Sequence, residues 1–168
     1  MNRYKTLVLS ATLALATFAG SAQAQAPAVQ AKDAWVRQTI ATQRTTGAFM
    51  TLTASSDLKL VSASSPAARV VEIHEMAMEG DVMKMRAVPA LDLPSGKAVE
   101  LKPGGYHIML IDVVQPLKAG NTVKVELEVE DKAQKRSKIT VDAPVRAMGG
   151  MPAAGHGDHG GHGAHKGH

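Results

Sequence analysis

The chain has 168 residues and no cysteine, with 19 Lys and Arg against 15 Asp and Glu and only 3% aromatic residues. Without cysteine there are no disulfides to staple a fold and no thiolate for a blue-copper centre. No basic stripe interleaved with aromatics is present, so nucleic acid is not an expected partner.

The first element in chain order is an export signal. Arg3 and Lys5 precede an apolar stretch from Leu7 to Ala16, and small residues follow, ending Ala22-Gln23-Ala24. Cleavage after Ala24 satisfies the A-x-A rule and starts the mature chain at Gln25. The apolar run is shorter than the roughly 18 to 20 residues a membrane span needs, so residues 1–24 read as a signal peptide and not as a membrane anchor. Subtracting Arg3 and Lys5 from the 19 basic residues leaves 17 against 15 acidic ones, a nearly neutral mature chain. With no cysteine beyond the signal to carry a lipid, the expected product is a soluble periplasmic protein.

Residues 31–145 form one expected domain, large enough to bury a core unaided. Its pattern is β throughout. The runs Gly47–Thr53, Val70–Met76, Val82–Val88, Tyr106–Ile111 and Thr122–Val129 alternate apolar and polar residues or are rich in β-branched ones. Turn signals stand between them at Ser64-Ser65-Pro66, Glu79-Gly80-Asp81, Leu93-Pro94-Ser95-Gly96, Lys102-Pro103-Gly104-Gly105 and Lys118-Ala119-Gly120-Asn121. Short strands with regular turns and no long 3.6-residue periodicity predict an all-β antiparallel sandwich or Greek-key barrel.

Two of these strands carry histidine and methionine at alternate positions. In a strand, residues i and i+2 share a face, so His107 and Met109 project together while Ile108 and Leu110 turn the other way. His74 and Met76 repeat the device. If Gly80 and Asp81 form a two-residue hairpin loop, Glu79 pairs with Val82 and Met76 faces Met85, which puts His74, Met76, Met83 and Met85 on one face. A slip of one residue would send Met85 to the opposite face. Thioether sulfur is a neutral, polarisable donor that suits Cu(I) and is a poor ligand for harder ions. Unlike a thiolate, it is not drawn into disulfides in an oxidising compartment. A single strand methionine is more often core filler than a ligand. Here the two histidines of residues 31–145 each have a methionine two positions on, and four methionines lie between Met76 and Met85.

The spacing from His74 through ten residues to Met85, twenty-one residues to His107 and one residue to Met109 resembles the H-x10-M-x21-H-x-M signature of the periplasmic copper chaperones called PCuAC. Met76 stands for the optional methionine near the first histidine. The resemblance extends over Ala34–Arg37, Thr46–Met50, Val71–Met76 and Leu101–Leu110, and weakens after Asp131. It implies a cupredoxin-like β-barrel that binds one Cu(I) through His74, Met85, His107 and Met109, with Met76 as a further donor. It also implies delivery of that ion toward the CuA centre of cytochrome c oxidase, alongside Sco-type proteins. No pairing of nucleophile and base suggests an enzyme, and the protein is expected to be monomeric. A periplasmic copper, zinc or nickel buffer would use the same residues without dedicated delivery.

The last element is a tail, residues 146–168. It contains Met148 and Met151, then His156, His159, His162, His165 and His168 at every third position among glycines that make a helix costly. Such a tract is expected to be disordered before it binds metal, and imidazoles favour Cu(II) among the divalent ions.

Overall fold

A computed structural model describes residues 28–147. The signal peptide and the tail ligands Met148, Met151, His156, His159, His162, His165 and His168 lie outside the described residues. The described residues form ten strands: β1 (Val29–Arg37), β2 (Thr45–Ala54), β3 (Leu58–Ser64), β4 (Ala68–Glu79), β5 (Val82–Ala87), β6 (Leu91–Leu93), β7 (Ala98–Leu101), β8 (His107–Val113), β9 (Thr122–Asp131) and β10 (Arg136–Arg146). Among the described residues no helix is long and apolar enough to cross a membrane.

The strands run in the order β5-β4-β8-β2-β1-β10-β9-β3-β6, with β7 also paired to β2. β2 is the hub of one layer. Its first half pairs with β8, its second half with β7, and its other edge with β1. The opposing layer is β10-β9-β3-β6. The inner faces supply the core: Val36, Leu52, Ile108 and Leu110 from the first layer, Leu60, Leu93, Val125, Leu127 and Val129 from the second, all fully buried. Burying each such side chain contributes roughly 1.5–3 kcal/mol before the entropy of ordering is counted. Met50, 3% exposed, is core filler.

One pairing departs from the antiparallel expectation. β1 meets β10 in parallel, Val36 opposite Val145 and Arg37 opposite Arg146. The cause is a break in β1: its register against β2 shifts between Lys32 and Trp35, and Asp33 there adopts φ +53°. Asp tolerates this left-handed backbone better than most residues. The bulge bends the strand, so that its last residues reach the second layer and join the two sheets.

The β4–β5 hairpin is closed by Gly80-Asp81, with Glu79 opposite Val82 and Met76 opposite Met85. Gly80 has φ +64° and Asp81 has no positive φ. That combination matches a type II′ turn, with glycine at its first central position. β5 is an edge strand, and all six of its residues are exposed.

Candidate metal centre

The outer face of β4 and β8 is where the imidazoles meet. His74 and His107 are directly opposed across the two strands, their ring centroids 5.8 Å apart. Both are buried, at 9% and 6% exposure. Ile73 and Ile108, opposed on the inner face, fill the core and fix which way the histidines project. Glu72 lies opposite Met109 on the histidine face, and Met76 continues that face toward the hairpin tip.

Each imidazole is held by one nitrogen. His107 Nδ1 lies 3.0 Å from the carbonyl oxygen of Gly105, and its Nε2 lies 3.3 Å from Met85 Sδ. A carbonyl can only accept, so Nδ1 carries the hydrogen, and in the neutral ring Nε2 presents a lone pair to the thioether. Two electron-pair donors then face each other. A soft cation shared between them resolves that contact. The separation also fits: donors about 2.0 and 2.3 Å from one d10 ion, the bond lengths of imidazole and sulfur ligands on zinc, are about 3.3 Å apart at an angle near 100°. His74 shows the same asymmetry. Its Nε2 is 2.7 Å from Glu72 Oε2, and its Nδ1 is buried with no hydrogen-bond partner.

A shallow depression opens over this face. Met76, Met85, His107 and Met109 line it together with Arg37, Gln43, Gly47, Phe49 and Gly104. His74 does not line it; the ring sits beside His107, diagonal to Met85 across β4 and β5. The depression thus gathers one imidazole and three thioethers, with a second imidazole at its side. Among the described residues no three His, Asp or Glu side chains come together as a metal-holding group. A larger groove, lined by Asp57, Lys59, Asp92, Glu130 and Lys132, carries ion-paired side chains and neither thioether nor imidazole.

Apart from Glu72, the groups that support the imidazoles are visible only in three dimensions. Phe49 packs 4.5 Å from Trp35 and 6.3 Å from His107 between ring centroids, with the Arg37 guanidinium over it at 5.5 Å. Gly47, opposite Met109, makes room for that ring: a Cβ there would meet Phe49 Cζ at 2.7 Å. The Lys102–Gly105 turn, with Gly104 at φ +81°, delivers the Gly105 carbonyl. Glu72 and Gly105 each stand two residues before the histidine they orient, and strand alternation could have flagged Glu72. On the opposite face of the hairpin, Glu75 bonds Arg86 at 2.6 Å. That guanidinium, with help from the Tyr106 hydroxyl, holds the Glu75 carboxyl below its ordinary value, and the same carboxylate pushes the Tyr106 phenol up.

The family model described as "Putative lipoprotein LpqE-like" matches residues 29–145. The chain belongs to this family. Among similar proteins, "Putative lipoprotein Lxx21020" of Leifsonia xyli subsp. xyli is 34% identical over 129 residues, which span 75% of this chain and 74% of that one. The solution structure of CuI-DR1885 from Deinococcus radiodurans is 33% identical, with a TM-score of 0.57 over 76% of this chain and 85% of its own. The copper-bound PCuAC domain from PmoF2 superimposes with a TM-score of 0.56 at 23% identity, over 72% and 94% of the two chains, which bears on the fold alone. The cupredoxin-like, PCuAC-type architecture implied by the sequence resemblance therefore stands. Unlike a protein acylated through cysteine, this LpqE-like sequence has no cysteine to modify.

Proposed function

We propose that the protein is a periplasmic copper chaperone that carries Cu(I) as cargo on the β4–β5–β8 face. Met85, His107 and Met109 are the principal donors, with His74 and Met76 completing the set. The observation that carries this reading is the 3.3 Å approach of Met85 Sδ to a His107 Nε2 whose partner nitrogen is already committed to Gly105. Similarity to CuI-DR1885, a copper(I)-loaded protein by its own description, supports the choice of ion. Every donor in the set is neutral, so the loaded site retains the ion's positive charge and binds less tightly than thiolates would. Half-exposed Met85 is the ligand an incoming partner reaches first. Stepwise replacement starting there suits a carrier that must release its cargo. The recipient in this reading is the CuA domain of cytochrome c oxidase, directly or through a Sco-type protein. Export is supported by the signal at residues 1–24 and by a relative named as a lipoprotein. The tail histidines His156, His159, His162, His165 and His168, with Met148 and Met151, form a separate site that takes Cu(II).

Anaerobic Cu(I) competition titration of the full chain and of a chain lacking residues 147–168 tests the assignment. One tight Cu(I) site is expected in both. It should be lost in a His107→Ala, Met109→Ala double variant, while the truncation lowers only Cu(II) stoichiometry. Retention of full Cu(I) affinity by the double variant would refute the site. Movement of copper from the loaded protein to an apo CuA domain separates a chaperone from a periplasmic copper store, which would hold its ion.

A further inference from the structure

The hairpin carries more thioether than the site uses. Met78 and Met83 are directly opposed two residues beyond the Met76/Met85 pair, on the same face. They are 61% and 50% exposed, so neither serves the core. Because the loop closes on the pair Glu79/Val82, the cross-strand pairs 78/83 and 76/85 are of the non-hydrogen-bonded type, whose side chains approach most closely. Each two-residue step along a strand advances about 7 Å. That is within reach of methionine side chains with three rotatable bonds. Four sulfurs therefore line one face from the tip of the hairpin to His107. The reverse face of the tip holds the Glu79–Lys84 ion pair at 2.6 Å and the Glu75–Arg86 pair, so charge and thioether are segregated by strand alternation. An edge hairpin that needed only apolar surface would be served by leucine or a β-branched residue, as Val82 is. Methionine at both opposed positions adds a soft donor pair.

We propose that Met78 and Met83 form a second, weaker Cu(I) site of two thioethers at the hairpin tip, through which the ion passes on its way to and from Met85 and His107. The inference rests on the Cu(I) reading of the main site and extends it outward. The step is a ligand exchange: a copper–sulfur bond to Met78 or Met83 breaks as one to Met76 or Met85 forms, the ion stays Cu(I), and no proton moves. Met78 and Met83 lie outside the His74, Met76, Met85, His107, Met109 set, so their effect separates from that of the main site.

The test is an anaerobic Cu(I) titration of the full chain labelled at the methionine methyls, followed by NMR. Up to one equivalent, the Met85 and Met109 methyls should shift; beyond it, those of Met78 and Met83 should shift together. If Met85 and Met109 respond and Met78 and Met83 stay fixed through three equivalents, the tip site is wrong and the main site stands. If none of the four responds, both readings fall. A Met78→Leu, Met83→Leu variant keeps the apolar surface and removes the sulfur. Its affinity for the first equivalent should match the parent, while the rate of Cu(I) transfer to a small chelator should fall at least tenfold. An unchanged rate would overturn the passage.

Discussion

In the proposed site, Glu72 sets how much His74 contributes. Its carboxylate accepts the Nε2 hydrogen of His74 and leaves Nδ1 as that ring's free donor, while His107, tied through Nδ1, offers Nε2. The two histidines thus present different nitrogens, a distinction set by their neighbours and not by their spacing in the chain. Carboxylates that orient ligating imidazoles typically contribute 10–100-fold in metal affinity. Glu72→Gln should lower Cu(I) affinity within that range in a competition titration and leave the melting temperature within a few degrees of the parent. An unchanged affinity would remove His74 from the donor set and leave one imidazole with three thioethers.

The hairpin is the element on which the proposed site depends, and its β5 strand is exposed throughout. Gly80 at φ +64° allows the two-residue turn, and a side chain in that conformation costs roughly 1–2 kcal/mol. Gly80→Ala should therefore speed amide hydrogen exchange across β4 residues 76–79 and all of β5 while leaving exchange in β9 and β10 unchanged, since local opening of an edge element need not involve the rest. Cu(I) affinity should weaken in parallel, because Met85 is displaced with the strand. The even register was readable from Glu79-Gly80-Asp81, as was the shared face of His107 and Met109, because both follow from period-two alternation. Glu72 could have been inferred by the same rule. The Gly105 carbonyl could not, since it depends on the conformation of the turn around Gly104.

Across the whole molecule, β character and turn positions are local properties of the sequence, and they are visible there. The joining of the layers is not. It depends on an aspartate at positive φ that lets β1 leave β2 and run parallel to β10, a long-range pairing with no sequence period. A second such aspartate, Asp112 at φ +55°, binds the Arg44 guanidinium and lies 3.1 Å from Arg69 Nε. Hydrogen bonding to Arg44 is the main cause that holds its carboxyl below the ordinary value; Asp57, bonded to the Ser95 N–H and Lys132, is lowered as well. A carboxyl whose pKa is lower folded than unfolded stabilises the fold above the unfolded value of about 3.9, and that contribution disappears as pH falls through the folded value. Melting temperature should stay level from pH 7 to about 5 and decline below about 4. Asn tolerates the same backbone. Asp112→Asn should therefore melt lower than the parent at neutral pH, with the difference closing in acid; a gap that persisted at pH 2 would mean the ion pairs are not its source.

The carbonyl of Gly105 accepts twice, from His107 Nδ1 at 3.0 Å and from the Met76 N–H at 3.2 Å. One oxygen thus ties the imidazole on β8 to the strand that carries the hairpin. Orienting the ring and seating β4 are then coupled equilibria, and coupling of this kind is reciprocal. Whatever factor hairpin docking adds to the affinity for copper, bound copper returns to the docking of the hairpin. In the proposed chaperone, a recipient that drew β4 away from the turn would loosen this protein's hold on the ion by the same factor, so contact with the hairpin would drive release alongside competition for the metal.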